Sequence, residues 1–459
     1  MDSIQTIIDN DLCIGCGACI YACQKTGKDN LEMSFHEEKG MFEPRFIDDS
    51  QCVDCSCLNV CPSYSMNYDD LSQFRFGLPS NSNIGHVVGI YLAQNVDRKV
   101  NLAASSGGLI KATLRFYLES GKVDGVIALR RVNGIHYEPE MVSTLEEIDR
   151  LPGSIYHNVD FSKTLELLRE TTRKHLAIVA IPCQLEGIYS YIKNYEPELM
   201  KKITITVGLL CGWTYSHHAI HALCQYENIP ENELINISYR GDGPVGKLKL
   251  DTKNGNGIKV NRRINLKYQA AFDRSYNLSR CHYCVNHGNF LADLVVGDAW
   301  LPSTVTTKTG ISLLIARTPD ADMNLRKMKD QGLIRLIPAR QEDVIESQTR
   351  RVIYGDFSYA YADYVKSVGL FAPTLIGPNK VETNPIPLRN LKDFHKSVTE
   401  KITLQRQKRY WPLLFRKYTR EGGAFLMKYV RWFFVRIVKV KSLLGKRKEI
   451  PSDLMKYFS

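Results

Sequence analysis

The chain has 459 residues, 44% hydrophobic and 24% charged, with 13 cysteines and a formal net charge of +11. That is the composition of a globular protein with room for two or three domains; no run of about eighteen apolar residues offers a membrane-spanning helix, and residues 1–5 carry none of the marks of a secretory leader, so a cytoplasmic protein with reduced, metal-binding thiols is expected. The charge is uneven: 401–448 holds fifteen Lys or Arg against one acid, Glu421, and the rest of the chain is close to neutral.

The first predicted element is a thiol loop. Cys13, Cys16, Cys19 and Cys23 are spaced C-x2-C-x2-C-x3-C. Three thiolates on so tight a loop reach three corners of one cuboidal iron–sulfur cluster, and the fourth, a helical turn on, points at a second. Cys52, Cys55, Cys57 and Cys61, followed by Pro62, repeat the pattern. Crossed pairing groups Cys61 with Cys13, Cys16 and Cys19, and Cys23 with Cys52, Cys55 and Cys57. Residues 1–75 therefore read as a ferredoxin-type module with two 4Fe-4S clusters. Structural zinc is the rival, but zinc takes four ligands in two separated pairs and does not need four cysteines packed this closely, twice. The second run is one residue short between Cys55 and Cys57. Cys57 is expected to be a ligand nonetheless, the alternative being a three-iron or distorted cluster. Gln24 stands where proline usually follows the first run. With so few apolar residues, the clusters serve as much of this module's core. Residues 72–86 are polar and turn-rich and read as a linker.

From Val87 the texture changes to strand–helix alternation. Strands are expected at 87–92, 123–129, 176–181, 203–210, 292–296 and 311–316, and helices from about 109 to 120, 161–174 and 217–226. Near-continuous apolar strands argue an α/β fold, α+β overall, with a partly parallel mixed sheet. The Gly-rich stretch 239–260 suggests an antiparallel insertion. Cys183 and Cys211 each end a predicted strand, where open α/β sheets build their sites, and Cys281 and Cys284 form a C-x2-C pair. From spacing alone, a third cluster and plain core cysteines are both open readings. Cys224, inside a predicted helix, reads as core.

Seven segments in order carry a resemblance: 105–108 (Ser-Ser-Gly-Gly), 152–156 (Pro-Gly-Ser-Ile-Tyr), 181–184 (Ile-Pro-Cys-Gln), 211–216 (Cys-Gly-Trp-Thr-Tyr-Ser), 239–242 (Tyr-Arg-Gly-Asp), 281–284 (Cys-His-Tyr-Cys) and 292–300. Together they resemble the beta subunits of coenzyme F420-reducing hydrogenases and dehydrogenases, over about residues 10–350. The resemblance implies a flavin-binding α/β domain, here 85–390, in which a 4Fe-4S cluster held by Cys183, Cys211, Cys281 and Cys284 lies beside an FAD. The flavin residues it suggests are Ser106, Gly107, Gly108, Gly153, Ser154, Tyr156, Gln184 and Asp298. Ile155 and the Gly212-Trp213 pair depart from the family's commoner forms and bear on the substrate side. The residues agree with a flavin: Ser106-Gly107-Gly108 precedes a helix, whose N-terminus favours an anion such as a pyrophosphate. Without the surrounding pattern a Gly-Gly is a plain turn, Gly153-Ser154 a loop, Tyr156 a core tyrosine and Asp298 a turn cap. His136 and His282 are candidates for moving protons, though a lone histidine is usually structural.

Residues 391–459 read as a basic helical tail. Lys428, Arg431, Arg436, Lys439 and Lys446 share one arc, opposite Leu426, Phe433, Phe434 and Ile437. Such a helix suits peripheral contact with an anionic membrane through 401–448, or packing on the body or a partner. Nucleic acid is not expected, because no recognised binding module contains Arg409-Tyr410-Trp411. The reading is an iron–sulfur flavoprotein oxidoreductase. It passes electrons between ferredoxin-type clusters and FAD, to or from a redox partner protein or a small two-electron carrier such as coenzyme F420. The rivals are a non-catalytic electron-transfer or adaptor subunit of a membrane-associated complex, and a zinc-stabilised interaction protein.

Overall fold

The computed structural model describes residues 3–48, 56–80, 84–243, 246–305, 307–377 and 386–419, with the backbone alone over 349–356. Cys52, Cys55 and the basic stretch 420–448 lie outside these residues.

The N-terminal module opens with a short helix, Ile4–Asp9, capped by Ser3, and passes through the thiol loop into the helix Ala18–Lys25. A hairpin of β1 (Leu31–His36) and β2 (Met41–Phe46) follows, then β3 (Ser65–Asn67) and the helix Tyr68–Phe76. That helix takes up the first part of the stretch read as a linker. Asn67 caps it by accepting from Asp70 N–H, Asp69 and Asp70 complement its N-terminus, and Gly77 ends it at φ 70°. Polar composition hid a well-capped helix.

The module has no separate core. Its Ile4, Ile7, Leu12 and Leu31 belong to the same continuous apolar cluster as Leu92, Ile178, Leu185 and Ile188 of the body. So short a segment cannot bury enough surface alone, and it borrows the body's.

The body is built on an eight-stranded mixed sheet. Its strands are β4 (Gly89–Asn95), β5 (Gly125–Asn133), β6 (His136–Val142), β7 (Leu176–Ala180) and β8 (Ile203–Leu209), then, after three strands of an insertion, β12 (Leu294–Asp298), β13 (Ser312–Ala316) and β14 (Ile334–Pro338). The insertion is an antiparallel meander of β9 (Leu234–Ser238), β10 (Lys247–Thr252) and β11 (Ile258–Asn261). The main order is β14-β4-β13-β12-β8-β7-β5-β6. Strands β5, β7, β8 and β12 are mutually parallel. Strand β13 is antiparallel to both β12 and β4, so β4 runs with the parallel set. The C-terminal ends of five strands therefore share one edge. The expected α/β class and mixed sheet are observed, with strand ends displaced by up to four residues. Edge strands β6 and β14 went unpredicted because their faces alternate between buried and exposed instead of reading as apolar runs.

After the sheet the chain returns to the module. Strand β15 (Thr374–Ile376) pairs in parallel with β3. The helix Leu388–Arg406 then packs on the helix Gln341–Ser367 and the turn Arg274–Tyr276, and the residues that follow bury Tyr410, Leu413 and Leu414 in the cluster of the helix His218–Glu227, where Cys224 is fully buried as expected. The start of the expected tail is thus part of the body.

Candidate functional site

The thiol loop is shaped by two glycines. Gly15 and Gly17 have φ of 75° and 74°, and a Cβ on them would come within 2.6 Å of Val159 O and 2.2 Å of Ser162 Cβ. Only glycine lets the loop lie this flat on residues 158–162 of the body. Phe161 N–H donates to Gly15 O at 2.8 Å and Asn158 Nδ2 to Ile14 O at 3.1 Å, fixing the contact.

Cys13, Cys16, Cys19 and Cys61 converge in this loop, buried or nearly so. Burial raises all four thiols, Cys16 to about 12, and the charge of Cys61 adds to the rise at Cys13, Cys16 and Cys19. This is the grouping the crossed pairing predicts. Cys57 is 1% exposed in the turn Ser56–Val60 and close enough to Cys19 to bear on its charge. Cys23 is also buried, its thiol donating to Lys28 O at 2.6 Å, while its expected companions Cys52 and Cys55 lie outside the described residues. Such thiols are neutral when bare and become thiolates only beside a strong cation, which iron supplies. The donor set fits a cluster.

The body thiols come from three places. Cys183 sits in the first turn of the helix Pro182–Tyr195 after β7, Cys211 lies two residues past β8, and Cys281 and Cys284 lie in and just after the turn Ser279–Tyr283. Cys183 feels the charge of Cys211, Cys281 and Cys284, so the four are brought together at the shared sheet edge. Thr214 N–H points at Cys281 Sγ at 3.4 Å, as Gly15 N–H points at Cys13 Sγ at 3.3 Å. Among the described residues no three His, Cys, Asp or Glu side chains gather as ligands of a single ion do. A cuboidal cluster spreads its thiolates over the corners of a cube, wider than zinc's sulfurs at about 2.3 Å from one metal.

The two thiol sets adjoin. A Cβ on Gly187 would come 2.7 Å from Cys16 Sγ, so the helix that carries Cys183 presses its glycine on the N-terminal loop. Between the sets lies a buried ion pair. Arg280 Nε and Nη2 donate to Pro62 O at 3.2 and 3.0 Å, one residue past Cys61, and Nη2 is 3.9 Å from Glu186 Oε2. Burial raises Cys61, Cys281 and Cys284, and Arg280 opposes that rise, while Glu186 adds to the rise of Cys16, Cys183 and Cys284. Sequence reasoning gave neither residue a role; the available signal was a charged Arg280 directly before a ligand-spaced cysteine.

The residues suggested for a flavin gather at the same edge, with one exception. Ser106 Oγ donates to Ile311 O at 3.0 Å and Gly107 N–H to Ser312 Oγ at 2.9 Å, tying that loop to β13. Gly108, at φ 74°, opens the helix Leu109–Glu119, which has no side-chain cap. Ser154 Oγ bonds Ser105 Oγ at 2.8 Å and carries Gly153 with it. Asp298, at the end of β12, does not cap a turn: it pairs with Arg240 Nη1 at 2.5 Å. Arg240 and Arg262 lie on either side of Tyr156, with Trp300 near Arg240. Gln184 is the exception, its Oε1 accepting from Ile181 N–H at 3.0 Å at the head of its own helix. Arg262 carried no signal in the sequence; only the fold of the insertion brings it here.

The candidate proton carriers separate. His282 is half-buried against Phe394, and its removal from water lowers it to about 3. His136 is exposed, 6.4 Å from the His217 ring. Neither is joined to the polar group around Tyr156 by a hydrogen bond among the described residues.

Comparison with known proteins follows these divisions. The family profile described as "4Fe-4S dicluster domain" matches residues 12–65. The profile for the N-terminal part of the coenzyme F420 hydrogenase/dehydrogenase beta subunit matches 90–166, and the profile for its C-terminal part matches 173–342. One subunit of the F(420)H(2) dehydrogenase of Methanosarcina mazei is 24% identical over 331 residues, covering 67% of this chain and 82% of that protein. The beta subunit of the coenzyme F420 hydrogenase of Methanococcus voltae is 24% identical over 245 residues, 53% of this chain and 81% of that one. A chain of the F420-reducing NiFe hydrogenase complex from Methanosarcina barkeri superposes with a TM-score of 0.50 at 19% identity, covering 66% of this chain and 99% of its own, a likeness of fold.

Proposed function

The chain belongs to the coenzyme F420 hydrogenase/dehydrogenase beta-subunit family, with a 4Fe-4S dicluster domain at its N-terminus, and from that premise we propose that it is an iron–sulfur flavoprotein oxidoreductase. In this reading Cys13, Cys16, Cys19 and Cys61 hold one cluster, Cys23, Cys52, Cys55 and Cys57 a second, and Cys183, Cys211, Cys281 and Cys284 a third. The residues 1–75 act as the electron-entry module, 85–390 as the catalytic unit and 391–459 as an appended tail. The observation that carries the reading is the contact of the two thiol sets across Gly187 and the Arg280–Glu186 pair. It supports a route from the module to the body thiols and on to the edge that carries Ser106–Gly108, Ser154, Tyr156 and Asp298.

A bound FAD supplies the exchange between one-electron and two-electron chemistry that clusters lack. The protein's part is placement. The start of the helix Leu109–Glu119 and the arginines favour the cofactor's negative charge. Tyr156 offers an aromatic face, and Arg240 pairs with Asp298 beside it. Coenzyme F420, which the relatives' names carry, is the leading two-electron partner; an unrelated small molecule is the alternative.

A non-catalytic adaptor subunit of a membrane-associated complex is the second reading. It is favoured by Trp411 and Phe415, 54% and 69% exposed just before the basic stretch. Among the described residues no helix is long and apolar enough to cross a membrane, so the contact would be peripheral. Anaerobic purification separates the readings. The flavoprotein reading predicts about one FAD per chain, bleached by a low-potential donor together with the cluster absorbance. Iron-replete protein that neither carries nor takes up flavin contradicts it and favours the adaptor.

A further inference from the structure

Arg240 and Arg262 are two nearby guanidinium groups turned inward in a chain whose body is close to neutral. Burying a cation is expensive unless something negative or strongly polar meets it. Arg262 Nε donates to Tyr268 Oη at 2.7 Å and Nη2 to Tyr156 Oη at 3.4 Å, with its guanidinium 5.5 Å from the Tyr156 ring centre. Arg240 bonds Asp298, and its guanidinium lies 5.9 Å from the Trp300 ring centre. The Arg240 side chain is 6% exposed, yet its Nε is shielded from solvent and meets no acceptor among the described residues. Its positive charge also bears unfavourably on Arg262.

Asp298 stands with this pair as Arg240's partner, and among the described residues the Arg240 Nε–H is left over. An anion with several acceptor oxygens would take up that donor and relieve the repulsion. The planar fork of arginine matches phosphate better than any other anion-binding side chain. The position also suits a ligand. A Cβ built on Gly241 would lie 3.7 Å from Ala103 O, at the end of the helix Arg98–Ala103 that precedes the loop to Gly108.

We propose that Arg240 and Arg262 form a seat for a phosphate group, with Tyr156 as the surface against which the rest of the phosphorylated ligand lies. The phosphate has two sources: the dinucleotide part of the flavin, or a separate phosphorylated substrate. The second source rests on the flavoprotein reading; the seat itself does not.

The test uses full-length protein stripped of exchangeable ligand and titrated by calorimetry with inorganic pyrophosphate, FAD and riboflavin. Wild-type protein should bind pyrophosphate saturably, and Arg240→Gln and Arg262→Gln, at wild-type iron content, should each weaken it about tenfold or more. Arg262→Lys, which keeps the charge and loses the fork, should fall between. If the variants weaken FAD and spare riboflavin, the phosphate is the flavin's own. If they spare both flavins and weaken pyrophosphate, it is a separate substrate's. Pyrophosphate binding through the arginines in a protein that takes no flavin keeps the seat and removes the flavoprotein reading. No saturable pyrophosphate binding by wild-type protein, or equal affinity in all three variants, overturns the seat.

Discussion

Cys13, Cys16 and Cys19 come from seven consecutive residues, whereas Cys183, Cys211, Cys281 and Cys284 are gathered from three places spread over about a hundred. The first set is made by local geometry, by two left-handed glycines and a helix start. The second exists only once β7 and β8 are paired and the 279–284 turn is docked beside them. Their surroundings differ in the same way. The N-terminal loop rests on apolar and backbone atoms, while the body set has a buried cation, Arg280, directly before Cys281, and that cation reaches the N-terminal set only from across the joint, at Pro62 O. The lesson is that one kind of thiol pocket can be written into a motif or assembled by a fold, and that a single buried ion pair, Arg280–Glu186, then bears on both.

Arg280→Gln should have the largest effect on this comparison. It strands Glu186, which is 1% exposed and raised by burial, and it removes both bonds to Pro62 O. Breaking a buried pair in this way costs about 3–5 kcal/mol. The variant should unfold at clearly lower denaturant, and the reduction potential of the body centre should move negative because a nearby cation is gone. Wild-type stability and potential would break the claim that the body set is governed by its charged neighbours.

Gly187→Ala should act more weakly and on the other set. The added methyl crowds Cys16 Sγ and overpacks a tight joint, at a cost of about 1–3 kcal/mol. The spectroscopic signals of the N-terminal loop should shift while those of the body set keep their shape. A change confined to the body set would contradict the contact as described.

The legibility of each region follows from the same contrast. The thiol loop, β7, β8 and β12 were readable because a spacing or an apolar run is written in consecutive residues. Ser154 and Asp298 were found as residues, but not Asp298's role, because its partner Arg240 is 58 positions away. Arg262 and Glu186 were invisible: a lone arginine in a polar insertion and a glutamate in an amphipathic helix each look like solvated surface until the fold turns them inward. The helix Tyr68–Phe76 was missed because its caps are polar residues that also make turns. The return of 374–419 to the module and the body rests on contacts far apart in sequence, such as β15 with β3, Gln405 with Ser216 and Tyr410 with His218, that no local pattern announces.

The central claim is that the body thiols bind a cluster of their own, in line with those of the module. Iron and acid-labile sulfide per chain, measured anaerobically in the wild type and in a Cys281→Ser, Cys284→Ser double variant, test it most directly. The account predicts about twelve irons falling to about eight, with the N-terminal signals retained. An equal iron content in the two proteins would contradict it.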